Sequence, residues 1–497
     1  MGTSTYVAMC YGSIALFLSI LHNVFLLYHV DVFVSIYKID KASFWIGETI
    51  FLLWNSLNDP LFGWLSDKSL LKSESSDGKF VSSPSLILKR IGILSTSGPL
   101  LGISFLGFWF FWTNPGLQFV VCLCLYDGFL TAVDLHHTAL LADLALAAKE
   151  RNQLNFYSSF FSAFGSASVF LSYIVWDRDN MADFQLFCIL LAAFSVTGFV
   201  IMSRTLRKHF TRLQRREERL SGVHIEEPEK SLSQLFQEDV TFKKYIKQLN
   251  RHTNFKWFAL MNLVQVFNCH FNSNFFPLFL ERLLGGFLSP ALGSFLIGVS
   301  FVVPHVNNLY FLSLCRKYGL YTVIRWLFYC KCVLCTVMFC LGPNYIWLLG
   351  LFIASNRVFT EGTCKLLNLV ISDLVDEDCV LHRRNQAVSA LIYGTSALLS
   401  KPGQTLAPLI GTSLLALQTG HDIFQSSSGG HVLTGTGFSS EEAELIRLGC
   451  FYCLVYVPLI CSIIQIFCWS KFTLFGTRLE WVKSVRAGTT SALFSQV

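Results

Sequence analysis

Apolar and polar positions divide the chain into long runs with a coarse rhythm. Predominantly apolar stretches cover 6–30, 43–65, 91–112, 117–146, 156–176 and 184–203. After a polar interval they resume over 255–280, 291–314, 320–341, 345–374, 387–417 and 448–469. Each stretch, wound as a helix, is long enough to cross roughly 30 Å of hydrocarbon. The pattern predicts an all-α membrane protein with twelve transmembrane helices in two six-helix bundles. Domain boundaries follow: a bundle over 1–203, a charged linker over 204–252, a second bundle over 253–470 and a tail over 471–497. The first run has no basic segment before it and no small-residue cleavage site, so it is expected to be a retained span.

Composition supports that division. Of 497 residues, 53% are hydrophobic and 14% charged, more apolar surface than one water-soluble core can cover, and phenylalanine alone accounts for 47. The formal charge of +6 does not call for nucleic acid, because the basic residues gather in loops on one side of the predicted topology. With the linker in the cytosol, Lys68, Lys72, Lys89, Arg90, Lys149, Arg151, Arg316, Arg383, Arg384 and Lys483 share its side, which puts both termini inside. The linker carries Arg204, Arg207, Lys208 and Arg212 ahead of Glu226, Glu227 and Glu229, and is expected to form an amphipathic helix near anionic headgroups. The outer loop of 418–444 is rich in Ser, Gly and Thr. Most of the 16 cysteines lie within apolar runs and read as small buried hydrophobes. Cys332 and Cys335 form a C-x-x-C with no second pair, so no metal site is expected. The chain contains no phosphate-binding loop, H-E-x-x-H or G-x-S-x-G, which argues against an enzyme.

Ionisable groups within spans cost about 2.5 to 3.5 kcal/mol each to insert, so those present should face a partner or a wet cavity. Asp59, Asp127, Asp134, Arg357, Glu361, Lys365 and Lys401 are of this kind. Asp127 and Asp134, seven residues apart, share a helix face. Arg357, Glu361 and Lys365 repeat every fourth residue, a spacing that allows neutralisation along one helix. Glu48, Arg325 and Lys331 stand nearer span ends and are expected to snorkel. Asn262, Gln265, Asn268, His270, Asn272 and Asn274 make the seventh span polar, either to line a path or to bind neighbouring helices. His136 and His137 are expected to be hydrogen-bonded packing groups.

Residues 55–68 read N-S-L-N-D-P-L-F-G-W-L-S-D-K. The G-x-x-x-D-K ending resembles the loop between spans two and three of the major facilitator superfamily, and the preceding N-D-P narrows the resemblance to its glycoside-pentoside-hexuronide:cation symporter branch, the melibiose permease-like proteins. Tyr28-His29-Val30-Asp31-Val32 is similar to the branch's Y-x-x-D-V. Ser372-Asp373-Leu374-Val375-Asp376, followed by Arg383-Arg384, is similar to its A-D-x-x-D-Y segment, and Lys401 falls where the branch carries a lysine. The resemblance covers nearly the whole chain. It implies the major facilitator fold and alternating-access transport of a small solute across the bilayer by a monomer, with no organic cofactor and with sodium or a proton as the coupling ion.

Carried over position by position, the branch's cation site becomes Asp59, Asn55, Asn58 and Thr131, with Asn55 where the branch has its first carboxylate. The solute positions become Ser19, Asp134, Thr138 and Ser159 together with Lys401; the branch's stacking tryptophan and clamping arginine are absent, which argues against a sugar. Gly63, Asp67, Lys68, Asp373, Asp376 and Arg384 are the implied gate. The competing reading, prompted by the replaced groups, is a transport-inactive scaffold or surface receptor that keeps the fold. The plasma membrane is the expected location.

Overall fold

A computed structural model of the chain describes residues 5–67, 84–145, 147–177, 180–221, 242–285, 290–382, 384, 387–419 and 440–486. Lys68, Lys72, Arg383, the linker's acidic patch of Glu226, Glu227 and Glu229, and most of the 418–444 loop lie outside them. The first half comprises α1 (Thr5–Asp31), α2 (Lys41–Asp67), α3 (Pro84–Leu106), α4 (Pro115–Leu144), α5 (Ala148–Ser166) with its short continuation α6 (Ser168–Val175), and α7 (Ala182–Ser221). After α8 (Phe242–Arg251) come α9 (Thr253–Leu284), α10 (Pro290–Tyr318), α11 (Leu320–Leu341), α12 (Ile346–Leu381), α13 (Ser389–Thr419) and α14 (Ser440–Lys471), then α15 (Thr477–Arg486) in the tail. Counting α5 and α6 as one broken span, twelve helices form two six-helix bundles.

Local sequence explains several boundaries. Asn114 caps α4, its side chain accepting the Gly116 amide at 2.9 Å, and Pro115 takes the first helical position, where no amide is needed. Asp40 does the same for α2, accepting the Ser43 amide at 2.9 Å. The fifth span breaks at Ala167, just beyond Gly165, whose missing side chain admits the Leu16 carbonyl of α1: a Cβ there would stand 2.7 Å from that oxygen. The sixth span does not stop at residue 203 but runs on as α7 to Ser221, so the basic start of the linker is the same helix leaving the membrane. In α8, Tyr245 and Leu249 are buried while Lys243, Lys244 and Lys247 face outward.

The halves repeat one another. In the first, α1 packs on α5 and α7, α3 on α4 and α7, and α2 on α4; six spans later α9 packs on α13 and α14, α11 on α12 and α14, and α10 on α12. The halves meet along two seams, α2 against α13 and α5 against α10. Six helices, α1, α3, α4, α7, α11 and α14, are long and apolar enough to cross a membrane by length and composition alone. They include all four peripheral helices, which present apolar stripes outward, such as Leu186, Leu190 and Phe194 on α7 and Val333 and Val337 on α11. The other spans are more polar because they form the seams and the interior, where amides and charges find partners.

Inside the second half, the polar residues of α9 mostly bind helices together. Gln265 donates to the Thr360 carbonyl at 2.7 Å and accepts from Gln465 of α14 at 2.5 Å, and Asn356 donates to Asn272 at 2.9 Å. Lys331 joins this cluster. It does not snorkel as expected: it stands midway along α11 (Leu320–Leu341), is 5% exposed and donates to Thr360 Oγ1 at 2.9 Å. A hydroxyl and a buried amide network within reach outweigh the longer route to the headgroups.

Candidate functional site

Two locks close the halves together at the end where the linker lies. In the first, Arg90 of α3 is fully buried and holds Asp67 of α2 at 3.0 Å and Asp143 of α4 at 2.6 Å. The two carboxylates then reach across the seam to the start of α13: Asp67 accepts the Leu391 amide at 2.9 Å and Asp143 the Ser389 hydroxyl at 2.5 Å. Carboxylates of one half thus cap a helix of the other, where free amides and the helix dipole favour negative charge. Gly63 permits the close approach, since a Cβ there would stand 2.6 Å from the Ala390 carbonyl. In the second lock Arg151 of α5 bonds Asp373 at 2.9 Å and Asp376 at 3.0 Å near the end of α12. Lys483 and Arg486 of α15 pair with the same two carboxylates, the lysine at 2.9 Å. The fourth-span end meeting the eleventh-span start in one lock corresponds to the tenth-span end meeting the fifth-span start in the other.

Of the residues read as a gate, Gly63, Asp67, Asp373 and Asp376 belong to these locks. Arg384 does not: it pairs with Asp378 at 2.8 Å and Gln248 of α8 at 3.0 Å, tying the α12–α13 connection to the linker. Lys68 lies outside the described residues. Arg90, Asp143 and Arg151 are central to the locks and were not singled out for them from sequence. Their signal was position, a basic or acidic residue at the edge of an apolar run that loop electrostatics already seemed to explain.

Deeper in the α2–α13 seam, Asn58 donates to Asp127 at 2.5 Å and to Thr131 at 3.1 Å, both on α4. Asp59 is 8% exposed and stands 2.5 Å from the Lys401 ammonium. That ammonium also bonds the Asn55 carbonyl, the Asn55 side-chain oxygen at 2.5 Å and the Asn58 side-chain oxygen at 3.1 Å. All four residues read as a cation cage are therefore together, and Asp127 joins them. Lys401, grouped from sequence with Asp134, instead occupies the cage: its ammonium is surrounded by oxygens as a hard cation would be. The second seam carries a matching bridge, Asn308 of α10 to Ser159 of α5. Asp59 and Asn308 thus hold equivalent seams, α2 to α13 and α10 to α5.

The solute positions disperse. Ser159 is engaged by Asn308, Ser19 packs against Gly165 between α1 and α5, and the Thr138 hydroxyl donates to its own helix at the Asp134 carbonyl, 2.8 Å away. Asp134 remains, exposed in the middle of α4. Its exposure is to the interior: Asp127 and Thr131, on its side of the helix, touch α2, whereas Leu125, 52% exposed, lies half a turn around, nine residues at about 100° each. His137 stacks on Tyr11 at 4.2 Å and its Nε2 donates to the Tyr11 carbonyl at 3.0 Å, so it serves packing. Neither Cys332 nor Cys335 is in a disulfide, and no group of metal-ligating side chains occurs among the described residues.

Two bundles joined by seams, locked at one end and holding ionisable groups around an interior space, define a membrane transporter fold and not an enzyme. The chain belongs to the MFS/sugar transport protein family, whose model matches residues 10–464. It is 57% identical over 488 residues to transmembrane protein 180 of Gallus gallus, covering 97% of this chain and 95% of that protein. To transmembrane protein 180 of Mus musculus it is 55% identical over 492 residues, with the same coverage. Among solved structures it is similar to a bacterial homologue of the iron transporter ferroportin in an outward-facing state, with a TM-score of 0.59 at 13% identity over 94% of this chain and 100% of that one. It is also similar to the E. coli fucose:proton symporter, with a TM-score of 0.53 at 10% identity over 93% of this chain and 99% of that one. At these identities the structural likeness is one of fold.

Proposed function

We propose that the protein is a secondary active transporter that moves a small solute by alternating access, coupled to protons through Asp59 and Lys401. The observation that carries the reading is the arrangement of two equivalent locks at one end of the seams with an exposed, charged interior beyond them. Such a pair of halves has one way to admit solute while sealed and another once the locks part. The ammonium of Lys401 already fills the oxygen cage, which favours a proton over sodium. Protonation of Asp59 removes the carboxylate's charge and releases Lys401, loosening the α2–α13 seam. Basic residues of α7 and α8 at the locked end, Arg207, Lys208 and Lys244 among them, favour a cytosolic location for that end and both termini; on this reading the closed locks correspond to an outward-facing state, and the plasma membrane is the proposed location.

Flux of radiolabelled solutes into proteoliposomes under an imposed pH or sodium gradient tests the proposal. Uptake should follow the pH gradient and vanish in Asp59→Asn; uptake indifferent to both gradients and to this substitution refutes the coupling. A second reading, a transport-inactive scaffold or receptor, is favoured by the filled cage and by the internal bonds of Ser159 and Thr138. Ligand-dependent stabilisation with no flux for any ligand that binds would select it. Epitope tags at both termini, reached by antibody only after permeabilisation, test the orientation.

A further inference from the structure

Among the interior charges outside the locks and the cage, Lys331 donates to Thr360 and Arg357 and Glu361 share Ser273; Asp134 and Lys365 have no such partner among the described residues. Lys365 is half-buried in α12, and its backbone carbonyl accepts Asn155 of α5 at 3.3 Å, which sets it beside the second seam. Its ammonium has no ion pair or hydrogen bond among the described residues, and neither has the Asp134 carboxylate. The two nevertheless lie within electrostatic reach of each other, and Lys365 acts in the same way on His22, His137 and His305. Lys365 makes no ion pair with Arg357 or Glu361 among the described residues, and the Asn155 contact sets its turn of α12 against the first half, where Asp134 lies on the interior side of α4.

The internal repeat gives this pair its geometry. Asp134 and Lys365 each stand nineteen residues beyond the first residue of α4 and α12, which are equivalent helices of the two halves. His22 of α1 and His270 of α9, the other equivalent pair of helices, lie within electrostatic reach of each other. The pseudo-twofold relation thus sets a carboxylate opposite an ammonium and a histidine opposite a histidine. The Nδ1 atoms of His22 and His305 are buried without a partner among the described residues, which leaves neutral polar groups around the charges.

We infer that this space is a zwitterion site, in which Lys365 takes the carboxylate of a small solute and Asp134 its ammonium group. The inference rests on the transport reading above and names its substrate class. Opposite charges held apart in an interior of low polarity each need a partner, and one molecule bearing both satisfies them together. A simple anion would pair with Lys365 and meet repulsion from Asp134; a simple cation would meet the reverse. A sugar offers neither charge. Because the charges sit on different halves, a solute bound to both also links the halves, as a transported molecule must.

Unfolding of the purified full-length protein tests this with probes of graded charge separation: glycine, β-alanine, γ-aminobutyrate and ε-aminocaproate, each beside its N-acetylated and its amidated counterpart. A zwitterion whose spacing fits should raise the unfolding temperature by about 2 °C at ten times its dissociation constant, and its singly charged counterparts should not. Lys365→Gln and Asp134→Asn should each abolish the shift, while Lys365→Arg, which keeps the charge and guards against misfolding as the explanation, should retain it. Equal shifts from a singly charged counterpart, no shift from any zwitterion, or a shift that survives both neutralising substitutions overturns the inference. A shift without flux in proteoliposomes would sink the transport reading and leave the site standing; zwitterion flux that ignores Lys365→Gln would do the opposite.

Discussion

Replacing Lys401 by alanine separates its two roles, counter-ion and occupant of the cage. The ammonium lies 2.5 Å from Asp59, and both side chains are largely buried, at 18% and 11% exposure. Deleting one member of such a pair strands the other charge and costs about 3–5 kcal/mol, whereas removing both together is often close to neutral. For a protein of this size about 3 kcal/mol corresponds to an unfolding temperature lowered by roughly 3 °C. The double variant Asp59→Asn with Lys401→Met should recover most of that loss, and the thermodynamic cycle should return a coupling of about 3 kcal/mol. The vacated cage has a distinct signature: Asp59, Asp127, Asn55, Asn58 and Thr131 would remain as oxygen donors with no resident cation. Sodium should therefore stabilise Lys401→Ala, by about 1.4 kcal/mol at ten times its dissociation constant, and leave the natural protein unchanged against a choline control. Equal sodium stabilisation of both proteins, or an alanine variant that unfolds with the natural one, would show that Lys401 does not hold the cation's place.

Asp134→Asn should shift stability by no more than about 0.5 kcal/mol, because the carboxylate makes no hydrogen bond or close ion pair among the described residues, while solute flux is lost. Gly63→Val should place its branched side chain against the Ala390 carbonyl and cost about 1–3 kcal/mol of seam packing; cysteines introduced at the locked end should then alkylate faster, and unchanged labelling would contradict the seam. Arg151→Ala should cost less than a buried pair normally does, since Lys483 and Arg486 still neutralise Asp373 and Asp376. Combined with removal of α15 the loss should exceed the sum of the two, as read from unfolding temperatures.

The fold was legible because it rests on length and apolarity, which are local. Lys331 shows where locality fails: snorkelling was expected of it, but it stands midway along α11 and the decisive fact was Thr360 on a neighbouring helix, a partner that pattern alone does not reveal. Lys401 shows the same failure within a motif. Seam packing pairs its ammonium with Asp59, a contact the sequence reading did not anticipate, while leaving it within electrostatic reach of Asp134. The 204–252 boundary illustrates a third kind, since α7 continues smoothly from lipid into the basic segment and the polarity change marks the membrane surface, not the end of a helix.

The interior pair was hidden for a different reason, and its signal was present in the sequence. Lys365 follows Glu361 by four residues and Arg357 by eight, so a single-helix reading assigns it neighbours of its own and leaves nothing over. Aligning the two halves by their spans breaks that closure: the fourth and tenth spans place Asp134 and Lys365 at the same depth, and the first and seventh do so for His22 and His270. In a protein built from two related bundles, residues at equal depth on the axis-facing sides of equivalent helices face one another across the axis between the halves. Paired helices can therefore be read for opposed charges before any coordinates exist, and a charge that seems satisfied along its own helix should first be compared with its counterpart in the other half.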